Sequence, residues 1–457
     1  MKKILSTVLA TVILTSCSDF LNVKPQGMVI PSADEEFGAI MHRHIQDIEG
    51  GADDLIIGNM ETIARLEGIA DDLDANIKVG SIPAFAGDLI NTRMTDYREY
   101  FSIVKDCNIV IENLDGRTSK EASNVLACAY AIKGICYFHL MRDFCEAWDA
   151  SDPSSQPGLP LVDRFDIEDR TNRSSLRETA DYTATLLKKS LSCKMTDGLY
   201  FFTEYIVKSY LARLYFWTED WDGTVDVCTD IMKNSGIKLT SLADYADMIQ
   251  SAKDKKGEVI VRSHINDASE LDWYFSYEKG YIRTRPASMS FVRLFGEKPS
   301  DDVRFGVCLD SKLFNNKTPE MRIRMSEILL MLSEAYCHQG NSEKALELLN
   351  SLRRERIAGV QDYTAATLPA VRKGDRICED AEGKALSPLL QAIFDERRKE
   401  LFMEGDRWYE LKRNGCPEWW IINNGLKYTV KEYLYTAPIY KSDVDLNTEM
   451  KQNKGYE

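Results

Sequence analysis

The chain has 457 residues, of which 44% are hydrophobic and 28% charged. That balance excludes a disordered or fibrous protein and allows several domains or one large architecture. A formal net charge of −15 repels phosphate backbones and excludes a nucleic-acid partner, and a mean hydropathy of −0.32 argues against a polytopic membrane protein.

In chain order, Lys2 and Lys3 precede an apolar run from Ile4 to Leu14 that only hydroxyl residues interrupt. As a helix this run would reach about 16 Å, against a hydrocarbon core of roughly 30 Å. It therefore reads as the h-region of a signal peptide over 1–16, not as a membrane span. Leu14-Thr15-Ser16-Cys17 resembles a bacterial lipobox. It predicts cleavage before Cys17 and acylation there (palmitate and similar chains), which anchors a soluble body to a membrane.

Helical pairs follow. Helices are expected over about 97–115, 120–147 and 175–195. Val207, Tyr210, Leu211, Leu214 and Trp217 form one helical stripe, and Trp221, Val225, Cys228 and Ile231 form the next, after a break at Glu219-Asp220. Ile328, Met331, Leu332, Ala335 and Tyr336 form a third. Gly340-Asn341 ends it, and Ala345, Leu348, Leu349 and Leu352 begin a fourth. The pair over 323–356 has roughly the length of a tetratricopeptide repeat. One last helix is expected over 387–413. Helical repeats over about 97–147, 175–234, 323–356 and 387–413 make the fold mainly α, an α-solenoid scaffold in which each pair buries its stripe against neighbours. Irregular stretches run over 149–172, 235–320 and 357–387, with Glu258-Val259-Ile260-Val261 reading as a short strand. Loops this long are usually functional.

Metal and catalytic signatures are not found. Cys128, Cys136, Cys228 and Cys337 lie in helical apolar patterns and read as buried free thiols. His42-Arg43-His44 lacks the i,i+4 spacing that puts two rings on one helix face. Asp72-x-Asp74-x-Asn76 begins like a calcium loop, but Ile77 and Pro83 stand where such a loop needs Gly and Glu. There is no GxSxG, HExxH, P-loop or GxGxxG motif, and no cofactor and no enzymatic activity are expected.

The segment Glu396-Arg397-Arg398-Lys399-Glu400-Leu401, then Glu404-Gly405-Asp406-Arg407-Trp408, is dense in opposite charges. Arg397/Glu400 and Glu404/Arg407 are i,i+3 pairs if the segment is one helix. The expectation is a network that locks helices together, not an acid and a base across a substrate.

Here the chain resembles the SusD/RagB family of Bacteroidetes surface lipoproteins. Residues 396–413 resemble that family's ERR-x-EL-x-x-EG-x-R-x-x-x-L-x-R signature, with Glu410 where Asp is frequent. The resemblance extends, in order, through Asp19-Phe20-Leu21 to Pro25, then Tyr97, Ile103 and Asn108, then Pro157-Gly158-Leu159-Pro160-Leu161. It continues through Arg173-Ser174-Ser175, Asp302-x-Arg304, Glu327, Glu334, Asn350 and Arg353 to Gln452-Asn453-x-Gly455-Tyr456. Lys133 stands where Arg is usual. The resemblance implies one SusD-like architecture over 17–457. It also implies an outer-membrane lipoprotein that captures oligosaccharides and closes over a SusC-like TonB-dependent transporter. The alternatives are a RagB-like peptide-binding lipoprotein and a helical-repeat scaffold that binds only proteins.

Family ligand sites fall before the first repeat helix and in the long mid-chain excursion, here about 60–96 and 235–320. Sugar rings stack on aromatic faces while amides and carboxylates bond their hydroxyls. The first region offers Asp71, Asp72, Asp74, Asn76, Phe85, Asn91 and Arg93. The second offers Trp273, Tyr274, Tyr277, Tyr281 and Arg283. The spacing by four of Trp273, Tyr277 and Tyr281 is equally that of a helix core stripe.

Overall fold

Capping side chains set where many helices begin. In the computed structural model, which describes residues 31–50, 54–76, 83–166, 170–250, 257–263, 283, 285–296, 298–423 and 425–457, Asn59, Ser119, Ser175, Asn341 and Ser387 each accept a backbone N–H of the first turn that follows. Each satisfies a donor that the helix itself cannot. Ser175 and Glu178 complete a reciprocal capping box.

The helices are α1 (Asp34–Gly50), α2 (Met60–Ile69), α3 (Ile90–Leu114), α4 (Lys120–Phe144), α5 (Leu176–Ser192), α6 (Glu204–Trp217), α7 (Trp221–Asn234), α8 (Tyr245–Gln250), α9 (Met289–Val292), α10 (Val303–Cys308), α11 (Met325–His338), α12 (Ser342–Arg354), α13 (Pro388–Glu400), α14 (Arg407–Arg413) and α15 (Lys441–Leu446). Three antiparallel two-stranded ladders accompany them: β1 (Pro157–Pro160) with β2 (Arg173–Ser175), β3 (Val259–Arg262) with β4 (Arg322–Arg324), and β5 (Trp419–Asn423) with β6 (Leu426–Val430).

Successive helices pack in a row, α3 on α4, α4 on α5, α5 on α6 and α6 on α7. The row continues as α7 on α11, and α11 on both α12 and α13. This is a mainly helical, tetratricopeptide-like repeat fold. The apolar helix α4 has the length and hydropathy of a membrane span, yet 94% of its apolar window is buried, so it is the central core helix. Gly134 lets α5 approach it closely, since a Cβ there would lie 2.8 Å from Leu187 Cδ2.

Several family-like motifs meet at one joint. Arg173 donates to the Gly158 carbonyl at 2.7 Å and to Asn453 Oδ1 at 2.8 Å. Asn453 in turn donates to the Phe144 and Ala437 carbonyls. Tyr137 donates to the Pro160 carbonyl, and Asn108 to that of Val162. These bonds tie the C-terminal tail to the helical row.

The structure corrects four expectations. Helix α3 begins at Ile90 rather than near 97. The segment 387–413 is two helices, because Met403 (φ 61°) and Gly405 (φ 75°) turn the chain between α13 and α14. The expected strand at 258–261 is present at Val259–Arg262, but its partner β4 occupies the place expected for the start of a helix. Helices α1 and α2 and the hairpin β5–β6 were not anticipated. Cys128, Cys136 and Cys228 are buried free thiols, and Cys337 is a half-buried one. Cys17, the signal segment, Trp273, Tyr274, Tyr277 and Tyr281 lie outside the described residues.

Candidate functional site

The charged segment folds into a buried network whose pairings are not those of one helix. Glu400 accepts from Arg304, Arg324 and Arg356 at 3.1, 2.7 and 3.0 Å. Glu404 accepts from Lys317 and Arg324 at 2.5 and 2.9 Å. Arg397 grips Asp406 with two bonds of 2.8 and 2.6 Å, not Glu400. Arg407 reaches back to Asp71 at 2.6 Å and across to Glu410 at 2.6 Å, not to Glu404. The turn at 401–406 separates Glu404 from Arg407, whereas Arg397 and Glu400 share α13 and turn to different partners. Burial opposes ionisation of Glu400, yet Arg356, Arg324 and Arg304 hold its carboxyl well below the usual range. Every member except Asp406 is at least nine-tenths buried, so this is scaffold.

One face of that scaffold opens into a cleft of about 350 Å³. Segment 70–76 forms one wall. The turn at 288–293, held to it by Ser288 N–H donating to the Asp72 carbonyl at 2.7 Å and Ser288 Oγ donating to the Asp71 carbonyl at 2.7 Å, forms the second. The hairpin β5–β6 forms the third, anchored where Ile422 N–H donates to Asn76 Oδ1 at 3.3 Å. Arg376 closes the fourth side.

Alternation along β5 sends Trp419 and Ile421 into the core and leaves Trp420 and Ile422 outside. Trp420 is 53% exposed, with Lys427 Nζ 5.0 Å from its ring centroid. Met289, 65% exposed, lies on the opposite wall. The cleft thus combines an open indole face, the hydroxyls of Ser288 and Ser290, the Asn76 amide, and the exposed guanidinium groups of Arg293 and Arg376.

The residues expected to bind ligand divide. Asp71 lies at the floor. Burial would raise its carboxyl, but Arg398 and Arg407 hold it well below the usual range. Asp72 is fully buried with Oδ1 on Arg398 Nε at 2.5 Å, so it braces the wall and presents no surface to solvent. Asp74 accepts from Asn76 N–H at 3.0 Å in a local turn. Arg93 is buried away from the cleft on Asp143 and the Leu434 carbonyl, a scaffold contact. Phe85 stacks on Tyr428, on the other side of the hairpin. Asn91 is exposed on the first turn of α3. Arg283 pairs with Asp310 at 2.6 Å. Trp420, Arg376, Ser288 and Ser290 were missed. The signal for Trp420 was legible: Asn424-Gly425 between alternating segments is a strong hairpin cue.

Such a helical-repeat scaffold, carrying a polar and aromatic cleft among its loops, has known counterparts. Residues 309–456 match the model of the SusD family. A SusD superfamily protein from Bacteroides vulgatus is 18% identical, with a TM-score of 0.69 over 93% of this chain and 100% of that one. A SusD-like carbohydrate binding protein from Bacteroides vulgatus is 17% identical, with a TM-score of 0.68 over 92% and 98%. A laminarin binding SusD-like protein is 15% identical, with a TM-score of 0.59 over 93% and 99%. No curated protein matches the sequence. The chain thus carries a SusD-family match over its C-terminal third and shares the fold of SusD-like proteins along the rest.

Proposed function

We propose that this protein is a lipid-anchored outer-membrane capture protein that binds oligosaccharides in the cleft and hands them to a SusC-like TonB-dependent transporter without altering them. The observation that carries the binding half is Trp420, a half-open indole at the edge of a cleft otherwise lined by hydroxyl, amide and guanidinium groups. That combination suits a ring with one C–H face and a hydroxylated edge. Two relatives of the same fold are named as carbohydrate or laminarin binding, which supports the same class of ligand. Anchoring at Cys17 and the segment around Trp273, Tyr274, Tyr277 and Tyr281 remain parts of the proposal that rest on the sequence.

Calorimetry against a panel of labelled dietary and host glycans tests it, with product analysis after long incubation. Binding of at least one glycan, recovered intact, is expected, and Trp420→Ala should weaken it about ten- to hundred-fold. Cleavage of the glycan would make the protein a hydrolase. Binding of peptides alone would move it to the peptide-capturing branch. Cys17→Ala should release the protein from membrane fractions, and unchanged acyl labelling in that variant would refute the anchor.

A further inference from the structure

Inside the charged network lies a cavity of about 40 Å³, separate from the cleft. Arg142, Arg213, Trp217, Arg322, Arg397 and Arg413 line it, and each is more than nine-tenths buried. Every one of these side chains has a buried donor with no acceptor: Arg142 Nε, Arg213 Nη1, Trp217 Nε1, Arg322 Nε and Nη1, Arg397 Nη1 and Arg413 Nη1. Their other ends are committed, Arg213 to Glu327, Arg397 to Asp406 and Arg413 to Glu334. The guanidinium groups of Arg397 and Arg413 both lie over the Phe216 ring, at 5.1 and 4.1 Å, and Phe216 also lines the cavity.

Acceptors at the same place are nearly all taken. Glu327 and Asp406 each use both oxygens on one arginine, and Glu404 uses both on Lys317 and Arg324. Among the cavity's carboxylates only Glu410 keeps an unpartnered oxygen, Oε1. Five arginines and four carboxylates line the cavity, and beyond the lining Glu334 and Glu320 pair with Arg413 and Arg322. Burial pushes Glu410 up to about 7, which reduces the acceptor capacity it offers near neutral pH. A buried unpaired donor costs about 1–3 kcal/mol, more when charged, and so large a cluster needs an acceptor. Water answers poorly. A cavity of this size holds roughly three molecules, and each brings as many hydrogens to place as lone pairs to offer. An anion offers only lone pairs.

We propose that this cavity is a binding site for a small monovalent inorganic anion of the halide class, with chloride as the physiological occupant. It would bridge donors from α4, α6, β4, α13 and α14, closing the network at the point where those five elements meet.

Crystals of the wild-type protein grown in sodium bromide and measured at the bromine edge test this directly, and an anomalous peak within hydrogen-bond reach of the Arg and Trp217 donors is expected. In solution, replacing gluconate by chloride at a constant ionic strength of about 150 mM should raise Tm by about 1–3 °C. Trp217→Phe, which removes one donor and no charge, should shrink that halide-specific shift. A cavity holding only water in bromide crystals would overturn the proposal. So would equal melting in chloride and gluconate, since ionic-strength screening alone is common to both salts.

Discussion

The network around 396–413 and the cleft above it are built from the same side chains, arginine, carboxylate and tryptophan, in opposite states of commitment. In the network Glu400 is gripped by three guanidinium groups and Arg397 by both oxygens of Asp406. Among the described residues, Arg376 at the rim pairs with no carboxylate and Arg293 donates only to the Met289 carbonyl. Trp419 and Trp420, neighbours in one strand, are 5% and 53% exposed. The difference separates two kinds of importance. Where partners are already engaged, removing a group exposes a cost. Where they are not, a ligand can add what is missing.

The largest effect should come from Glu400→Ala, which removes a shared carboxylate from three buried guanidinium groups, leaving Arg304 on Asp302 and Glu396, Arg324 on Glu258 and Glu404, and Arg356 on Glu258. Breaking one buried pair costs about 3–5 kcal/mol, so this variant should exceed that range or fail to fold. Arg407→Ala, which abandons Asp71 and Glu410, should fall within it. Trp419→Ala should cost a similar amount, about 3–5 kcal/mol, through lost packing. Thermal unfolding and calorimetric binding measured together check all three. Each should lower Tm while the folded fraction keeps its affinity. A stable Arg407→Ala protein that no longer binds would place that residue in the site and collapse the distinction.

Acid should attack the network before the cleft. Glu400, Glu404 and Asp302 are held below their ordinary values, against burial, by arginines and lysines. A lowered acid contributes stability that is full above its unfolded value and is lost as pH falls through its folded one. Unfolding followed by circular dichroism should therefore show stability declining below about pH 4.5, steeply below 4. Constant stability down to pH 2 would mean that the pairs contribute nothing.

A smaller effect of opposite sign is expected at Glu67. Burial, with Asp72 nearby, pushes its carboxyl up to about 8, although Oε1 accepts from Gly405 N–H at 2.8 Å. A raised acid contributes stability that is full below its unfolded value and is lost as pH rises through its folded one. The window runs from about pH 4.5 to 8. Glu67→Gln keeps the Gly405 contact through its carbonyl oxygen and removes the ionisation. It should match the wild type at pH 5 and exceed it in Tm at pH 8. A variant less stable at both would show that Glu67 works as an anion.

Much of the scaffold was legible because it is periodic. The stripes at 207–217, 221–231, 328–336 and 345–352 coincide with α6, α7, α11 and α12. That Glu396, Arg397, Glu400 and Arg407 engage in ion pairs could also be read, since so many opposite charges in one segment need partners. Their partners could not. Asp71 and Arg407 lie 336 residues apart, and no local pattern specifies such a contact. Local spacing suggested i,i+3 pairs instead, and the turn at Gly405 removed one of them. Of the cleft, Asp71 was found at the floor by its region, whereas Asp72 and Arg93 proved to be engaged inside the protein. Trp420 was missed although Asn424-Gly425 marks the hairpin, because a five-residue strand carries too few alternations to say which of its two tryptophans faces out.

The smallest expected stability change belongs to Trp420→Ala, which carries the most weight for the comparison. Half its surface is open, and its ring touches the solvated Lys427 side chain rather than the core. Surface substitutions of this kind stay within about 0.5 kcal/mol, well below the cost expected at Trp419 one residue earlier. Adjacent residues share strand, hairpin and local chain entropy, so the difference between the two variants isolates commitment to the core. If Trp420→Ala melts as the wild type does but binds glycan ten-fold more weakly, the indole is a platform. If it melts several degrees lower, the outer face of β5–β6 is packed, and the candidate site shrinks to the polar walls at 71–76 and 288–293. Unchanged melting with unchanged glycan affinity would move the sugar away from the hairpin, toward the wall that holds Arg293 and Met289.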